Sequence, residues 1–280
     1  MAVFAERFRR RYGPWALVAG GTDGIGAEFA RRLAGFGLNL LVVGRRLELL
    51  ASFTEELSAR YSVEARPLCF DLASSSDVAA LIEASKSCDV GLLVCNAAQS
   101  VVGSFLDQSF ESHERLIDLN CRMPALLAHE FGRRMKEAAR GGIILLSSMA
   151  SFQGTAMAAH YAASKAYIRV LAEGLWAELG PFGIDVLASC PGTVDTPTFH
   201  SDQPVVDRGL QLPVLDAKLV VDDAMRALGR RPEVVPGGRD RIAAFFMLRV
   251  LSRKRLIRMT AKSMHAMYPH LDGRPGPAAR

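Results

Sequence analysis

No apolar run in this chain approaches the ~18 residues that a membrane-spanning helix needs, so no span is expected. None of the five cysteines (Cys69, Cys88, Cys95, Cys121, Cys190) sits in a C-x-x-C pair, and the count is odd. Four of them fall in or beside predicted strands or helices, where buried free thiols are the expectation, and with them a reducing, cytoplasmic setting. No His, Cys or carboxylate cluster has metal-ligand spacing, so no metal is implied. Residues 1–11 carry arginine but no apolar h-region, so no signal peptide is expected. Internal repeats and low-complexity blocks are absent. The excess of positive charge is small, a formal +5, and is spread along the chain. With no nucleic-acid motif present, that excess reads as solvated surface plus a site for an anionic ligand. Acid is missing locally as well: no Asp or Glu occurs from Arg241 to Leu271.

At 280 residues with half of them apolar, the chain fits one large α/β domain with a sheet buried on both faces. Strand-like segments occur at Trp15–Ala19, Asn39–Val43, Glu64–Phe70, Val90–Cys95, Gly142–Ser147, Ile184–Cys190 and Glu233–Val235. Helical segments separate them, with long helices predicted over about Phe110–Arg140 and Thr155–Leu179. This alternation predicts a parallel sheet with right-handed crossovers and a site at the carboxyl ends of its strands. Loop composition marks Val194–Leu215 as a mobile segment over that site and Gly273–Arg280 as a disordered tail.

The first strand runs into Ala19-Gly20-Gly21-Thr22-Asp23-Gly24-Ile25-Gly26, and a helical pattern follows from Ala27 to Phe36. Strand, glycine turn and helix N-terminus together form an anion site, because free backbone N–H groups and the helix dipole point at the ligand. The spacing is G-x-x-x-G-x-G rather than G-x-G-x-x-G. Farther on, Tyr161 and Lys165 lie four residues apart, with Ser148 thirteen residues upstream of Tyr161. Positions i and i+4 share a helix face, so an ammonium should lie beside the phenol and favour phenolate. Tyr161 is then expected to titrate below its ordinary value and to exchange a proton near neutral pH. His160 points about 100° away from Tyr161 on the same helix and reads as a packing or substrate-lining residue.

Further motifs follow in order. Asp71-Leu72 closes the third strand, Cys95-Asn96-Ala97-Ala98 the fourth, and Ser147-Ser148 the fifth. Asn120 lies in a long helix, and Pro191-Gly192-Thr193-Val194-Asp195-Thr196 follows the sixth strand. From about Trp15 to Pro236 this set resembles the short-chain dehydrogenase/reductase family, with Ala19 in place of the usual leading Thr and Cys95 and Ala98 in place of an Asn and a Gly.

The resemblance implies a single doubly wound Rossmann domain with a parallel seven-stranded sheet. Residues 1–236 would form its cofactor-binding and catalytic part, and 237–280 a helical extension of the same domain. It implies Asn120, Ser148, Tyr161 and Lys165 as catalytic residues. Ser148 would bind the substrate carbonyl and Tyr161 deliver the proton. Lys165 would tune Tyr161 and hold the nicotinamide ribose, and Asn120 would hold a relay water or bridge a helix kink. The dinucleotide would be contacted by Gly20, Thr22, Asp23, Gly24, Ile25, Gly26, Arg45, Arg46, Asp71, Leu72, Asn96, Ala97, Ala98, Tyr161, Lys165, Pro191, Gly192, Val194 and Thr196. A homodimer or homotetramer paired through the long helices is also implied.

The second strand ends Val42-Val43-Gly44-Arg45-Arg46. Gly44 takes the place of the acid that binds an NAD ribose hydroxyl, and a guanidinium matches a phosphate bidentately, so NADP(H) is predicted over NAD(H). Arg45 is the better phosphate candidate, since Arg46 can equally begin a helix. Val194, Phe199, Val205, Val206, Leu210 and Leu212 lean toward a hydrophobic ketone of steroid, fatty-acyl, polyketide or polycyclic type. The stretch Arg241–Tyr268 interleaves apolar with basic residues and is predicted as one amphipathic helix. Packing on the protein or on a second subunit is favoured there over an anionic membrane surface. The function expected is an NADPH-dependent ketone–alcohol oxidoreductase. The alternatives are an inactive dinucleotide-binding sensor or scaffold and a membrane-surface reductase held by that helix.

Overall fold

The structure, a computed structural model, describes residues 2–201, 204–205 and 214–271. Val206, Leu210 and Leu212, much of the loop expected to be mobile, and the tail from Gly273 lie outside the described residues.

Seven strands form one sheet: β1 (Trp15–Ala19), β2 (Asn39–Gly44), β3 (Ala65–Cys69), β4 (Val90–Cys95), β5 (Gly141–Leu146), β6 (Ile184–Ser189) and β7 (Glu233–Val234). Every pair is parallel and the order is β3-β2-β1-β4-β5-β6-β7. The order reverses between β1 and β4, the switch point where doubly wound sheets bind their ligands. β1, β4 and β5 are buried at every residue, which their unbroken apolar sequences require in a sheet covered on both faces. Side chains alternate between faces along each strand. Leu40 and Val42 pack with Phe29, Leu33, Leu50 and Leu57 on one side, and Leu41 and Val43 with Leu127, Phe131 and Ile168 on the other. At the edge, β3 tolerates Pro67 because one of its sides has no ladder to supply.

The helices that cover the sheet are α1 (Ala2–Tyr12), α2 (Gly24–Gly35), α3 (Leu47–Tyr61), α4 (Ser75–Ala84), α5 (Phe110–Ile117), α6 (Met123–Glu137), α7 (Ala159–Leu179), α8 (Pro197–Ser201), α9 (Ala217–Ala227), α10 (Gly238–Val250) and α11 (Arg253–Met267). The basic N-terminal segment is the ordered helix α1. It buries Phe8 and Tyr12 and packs Phe4 and Phe8 against Phe36. Phe4, Phe8 and Tyr12 recur every four residues, a stripe present in the sequence beneath the arginines.

Three predicted helices have different limits. The span Phe110–Arg140 is α5 and α6 joined by a π-helical turn at Asp118–Arg122. Pro124 has no N–H to give the Asn120 carbonyl four residues back, so the ladder admits an extra residue there. Instead of starting at Thr155, α7 starts at Ala159, after a short 3₁₀ turn at Met149–Phe152. The basic C-terminal segment is two helices rather than one, because Leu251 is extended (φ −87°, ψ 137°). That break lets α11 bury Leu256.

Candidate active site

The glycine turn is set by close packing. Gly20 has φ +80°, and a Cβ there would lie 2.8 Å from the Ala97 backbone; at Gly26 a Cβ would lie 1.9 Å from the Gly20 carbonyl oxygen. Only glycine allows α2 to begin directly against β1. The turn hangs from the neighbouring strands: Gly20 N–H and Gly21 N–H donate to the Val43 carbonyl, and Asn96 and Ala97 N–H donate to the Ala19 carbonyl. Asn96 Nδ2 donates to the Gly20 carbonyl at 2.8 Å. The N–H groups of Gly24, Ile25 and Gly26 open the helix and have no carbonyl behind them in it. A bare backbone cradle with free amides at a helix N-terminus fits the diphosphate of a dinucleotide.

Around this cradle, Thr22 sits over Gly44, its methyl 3.3 Å from where a Cβ on Gly44 would be. Arg46 donates to Asp23, and this ion pair holds both side chains at the start of α2 and α3. Arg45 is exposed and makes no ion pair among the described residues. Asp71 faces α5: both of its oxygens accept from Arg115 Nη2, at 3.0 and 3.1 Å. Partial burial pulls the Asp71 carboxyl upward, but the Ala73 N–H and the Arg115 guanidinium outweigh it and hold the group below its ordinary value. Leu72 is buried in the core beside it, and Ala98 continues the loop after β4.

Ser148 follows β5, Lys165 stands beside Tyr161 on α7, and Asn120 bonds to Ser164 of the same helix. Lys165 is 4% exposed, and its ammonium donates to the Leu146 carbonyl at 2.8 Å, 5.6 Å from the centre of the Tyr161 ring. The i,i+4 spacing thus brings amine and phenol ring together. The amine is not a permanent charge, however. Burial lowers Lys165 to about 8, opposed only by Cys121, Cys190 and Cys95. The Cys95 and Cys190 thiols are themselves pushed up to about 12 by burial, so they stay neutral beside it.

Two adjacent serines are separated by their partners. Ser147 is buried and donates its hydroxyl to the Lys165 carbonyl at 2.7 Å. Ser148 is half-buried, and its Oγ accepts from Ala150 N–H at 3.2 Å, which leaves its proton free to point outward. Asn120, in the π-helical turn, is 2% exposed and clasps the loop after β4. Its Oδ1 accepts from Gln99 N–H at 2.8 Å, and its Nδ2 donates to Gln99 O at 2.9 Å and to Ser164 Oγ at 3.0 Å. His160 reaches α5, its Nδ1 2.8 Å from His113 Nδ1. Burial and then His113 lower its pKa.

The loop after β6 closes the arrangement. Thr196 lies over the turn, its methyl carbon 2.8 Å from a Cβ placed on Gly24. Val194 bridges to Leu215, and Met149 N–H donates to the Pro191 carbonyl at 2.9 Å. The C-terminal helices reach the same place: Arg253 donates to the Phe152 carbonyl at 3.3 Å, and Val205 N–H to the Met267 carbonyl at 2.8 Å. Sequence patterning did not single out Arg115, Gln99, Ser164 or the Leu146 carbonyl. Each acts through a partner distant in sequence and carries no local motif.

A family model described as short chain dehydrogenase matches residues 14–205, and the chain belongs to that family of nicotinamide-dinucleotide oxidoreductases acting on small molecules. It is 30% identical over 224 residues to the 7beta-hydroxysteroid dehydrogenase of Clostridium sardiniense, covering 80% of this chain and 85% of that one. A solved 7beta-hydroxysteroid dehydrogenase superposes with a TM-score of 0.85 at 28% identity, over 90% of this chain and 98% of the other. A short-chain dehydrogenase from Sphingobium yanoikuyae in complex with NADPH superposes with a TM-score of 0.73 at 28% identity, over 95% and 99%.

Replacing Asn120 with Leu should leave the Gln99 N–H and carbonyl without partners. At about 1–3 kcal/mol for each of the two unsatisfied groups, the chain should lose roughly 2–6 kcal/mol in urea unfolding. Unchanged stability would show that the clasp holds nothing.

Proposed function

We propose that the protein is an NADP(H)-dependent oxidoreductase that interconverts a ketone and a secondary alcohol on a hydrophobic, steroid-like or polycyclic substrate. The observation that carries it is the buried Lys165 amine beside Tyr161, with the free Ser148 hydroxyl at the same strand ends. The likeness to 7beta-hydroxysteroid dehydrogenases supports the substrate class.

Asn96, Gly20, Gly24, Ile25 and Gly26 would hold the diphosphate, with Thr22, Asp23, Leu72, Ala97 and Ala98 lining the cradle. Pro191, Gly192, Val194 and Thr196 would close on the nicotinamide. When bound, the dinucleotide supplies or accepts the hydride. Ser148 donates to the substrate oxygen and stabilises the charge that develops there. Tyr161 gives that oxygen its proton in reduction and takes it back in oxidation. Lys165 favours the ionised phenol and binds ribose hydroxyls. Asn120 fixes the loop that completes the site.

NADP(H) is preferred on two grounds. Gly44 leaves no acid to repel a 2′-phosphate, and Arg45 is free to meet it while Arg46 is held by Asp23. The relative that binds NADPH is consistent with this. Residues from 237 onward are read as part of the same unit, since Asp240, Leu256 and Tyr268 are buried. A dimer or tetramer is supported by an apolar groove on α7 lined by Ala163, Ala166, Tyr167, Val170, Gly174 and Leu175. No described helix is long and apolar enough to cross a membrane.

The reading is tested with a panel of oxosteroids, 3-oxoacyl thioesters and bulky ketones, with NADPH and NADH compared at the nicotinamide absorbance. Tyr161→Phe should cut turnover on any substrate found by about 10²–10⁴ while the fold is kept. Loss of less than about tenfold would remove Tyr161 as the acid. Arg45→Ala should weaken NADPH by about one to two decades, for a charge-assisted contact of ~1.5–3 kcal/mol, and leave NADH nearly unchanged. Equal losses for both cofactors would show that Arg45 does not read the phosphate. Light scattering should return a multiple of the 30.4 kDa chain mass, and a monomer would refute the α7 pairing.

A further inference from the structure

Asp240 is the one acidic residue between positions 237 and 271, and it lies between Arg239 and Arg241 at the start of α10. A surface acid there would pair with its neighbours or cap the helix. Arg241 instead reaches Asp223, and Asp240 turns inward to complete burial, 0% exposed. Neither carboxyl oxygen has a hydrogen-bond partner among the described residues. Burying an unpartnered carboxyl is costly, so stability alone does not account for it. Burial raises its pKa and favours the neutral acid, which lowers that cost without removing it.

Its position is specific. Asp240 Oδ2 lies 2.5 Å from where a Cβ on Gly192 would stand, and Met149 Sδ lies 3.4 Å from the same point. Gly192 does not have positive φ, so its backbone does not demand glycine; the space that Asp240 occupies does. Met149 N–H is in turn bonded to the Pro191 carbonyl, and Met149 follows Ser148. Three segments therefore meet here: the loop after β5 that carries Ser148, the loop after β6, and the first turn of α10. Only Asp240 and Ala244 are buried in α10.

We propose that Asp240 is a positioning residue: its carboxyl, packed against Gly192, sets the loop that closes on the dinucleotide and couples the C-terminal helices to turnover. The inference rests on the oxidoreductase reading for its consequence but on Gly192 and Asp240 for its geometry.

A double-mutant cycle tests it with the full chain: wild type, Gly192→Ala, Asp240→Ala, and both together. The readouts are the NADPH dissociation constant from nicotinamide fluorescence, kcat and KM separately, and Tm. Gly192→Ala should weaken NADPH binding and lower kcat by roughly tenfold, within the range that contacting residues show. The double variant should recover to the level of Asp240→Ala, since the new methyl fills the space the carboxyl leaves. Asp240→Asn, which keeps the shape, should bind NADPH like the wild type. If Asp240→Ala does not fold, Asp240→Ser takes its place in the cycle. Additive losses in binding and kcat would overturn the proposal, as would a coupling seen in Tm alone. A wild-type chain that binds NADPH but reduces no ketone would defeat the oxidoreductase reading while the cycle stayed readable in the binding constants.

Discussion

The site depends on one costly placement, an amine buried at the end of β5 with a single acceptor among the described residues. Taking an ammonium out of water costs several kcal/mol unless it is hydrogen-bonded, and Lys165 finds the Leu146 carbonyl, the last residue of β5. The position of that carbonyl follows from the ladders to β4 and β6. The lysine's own backbone is held by Ser147, and the turn before it by Ser164, which donates to the Tyr161 carbonyl and accepts from Asn120. Loosening any member of this chain of contacts displaces the amine from the phenol. The three surrounding thiols add no fixed charge, so burial decides how readily Lys165 gives up its proton.

The same economy governs the phosphate side. Gly20 and Gly26 bring strand and helix closer than any side chain permits, and Asn96 stitches the β4 end to the turn. The Arg46–Asp23 pair spans the two helix starts, while Arg45, just after β2, makes no ion pair among the described residues and acts on Asp71 only through its charge. Asp71, already held by Arg115, ties α5 to β3 before any ligand is bound. The walls of the cradle are thus already braced by contacts within the protein.

The C-terminal helices are fastened at few points and carry much apolar surface outward. Phe245 and Phe246 are both more than half exposed, whereas Leu256 and Tyr268 are buried. Their attachments fall at the site: Asp240 behind Gly192, Arg253 on the Phe152 carbonyl, and Met267 on Val205. The extension is thereby fastened to the loops after β5 and β6.

Much of this was legible in the sequence. The seven strands, their parallel arrangement and the placing of the glycine turn, Asn96 and Ser148 after their strands follow from period, spacing and order, because these are local properties of a chain buried on both faces of a sheet. The stripe of Phe4, Phe8 and Tyr12 was equally local, though arginines obscured it. Other features were not readable in advance. The π-helical turn at Asn120 arises where Pro124 meets the demand of Gln99 for partners. The division of labour between Ser147 and Ser148 depends on which one faces the Lys165 carbonyl. The lowered lysine depends on burial, and Asp240 against Gly192 joins residues 48 positions apart in sequence. Spacing determined which side chains could share a face; only the tertiary fold decided which were dry, which were already bonded, and which were left free to act.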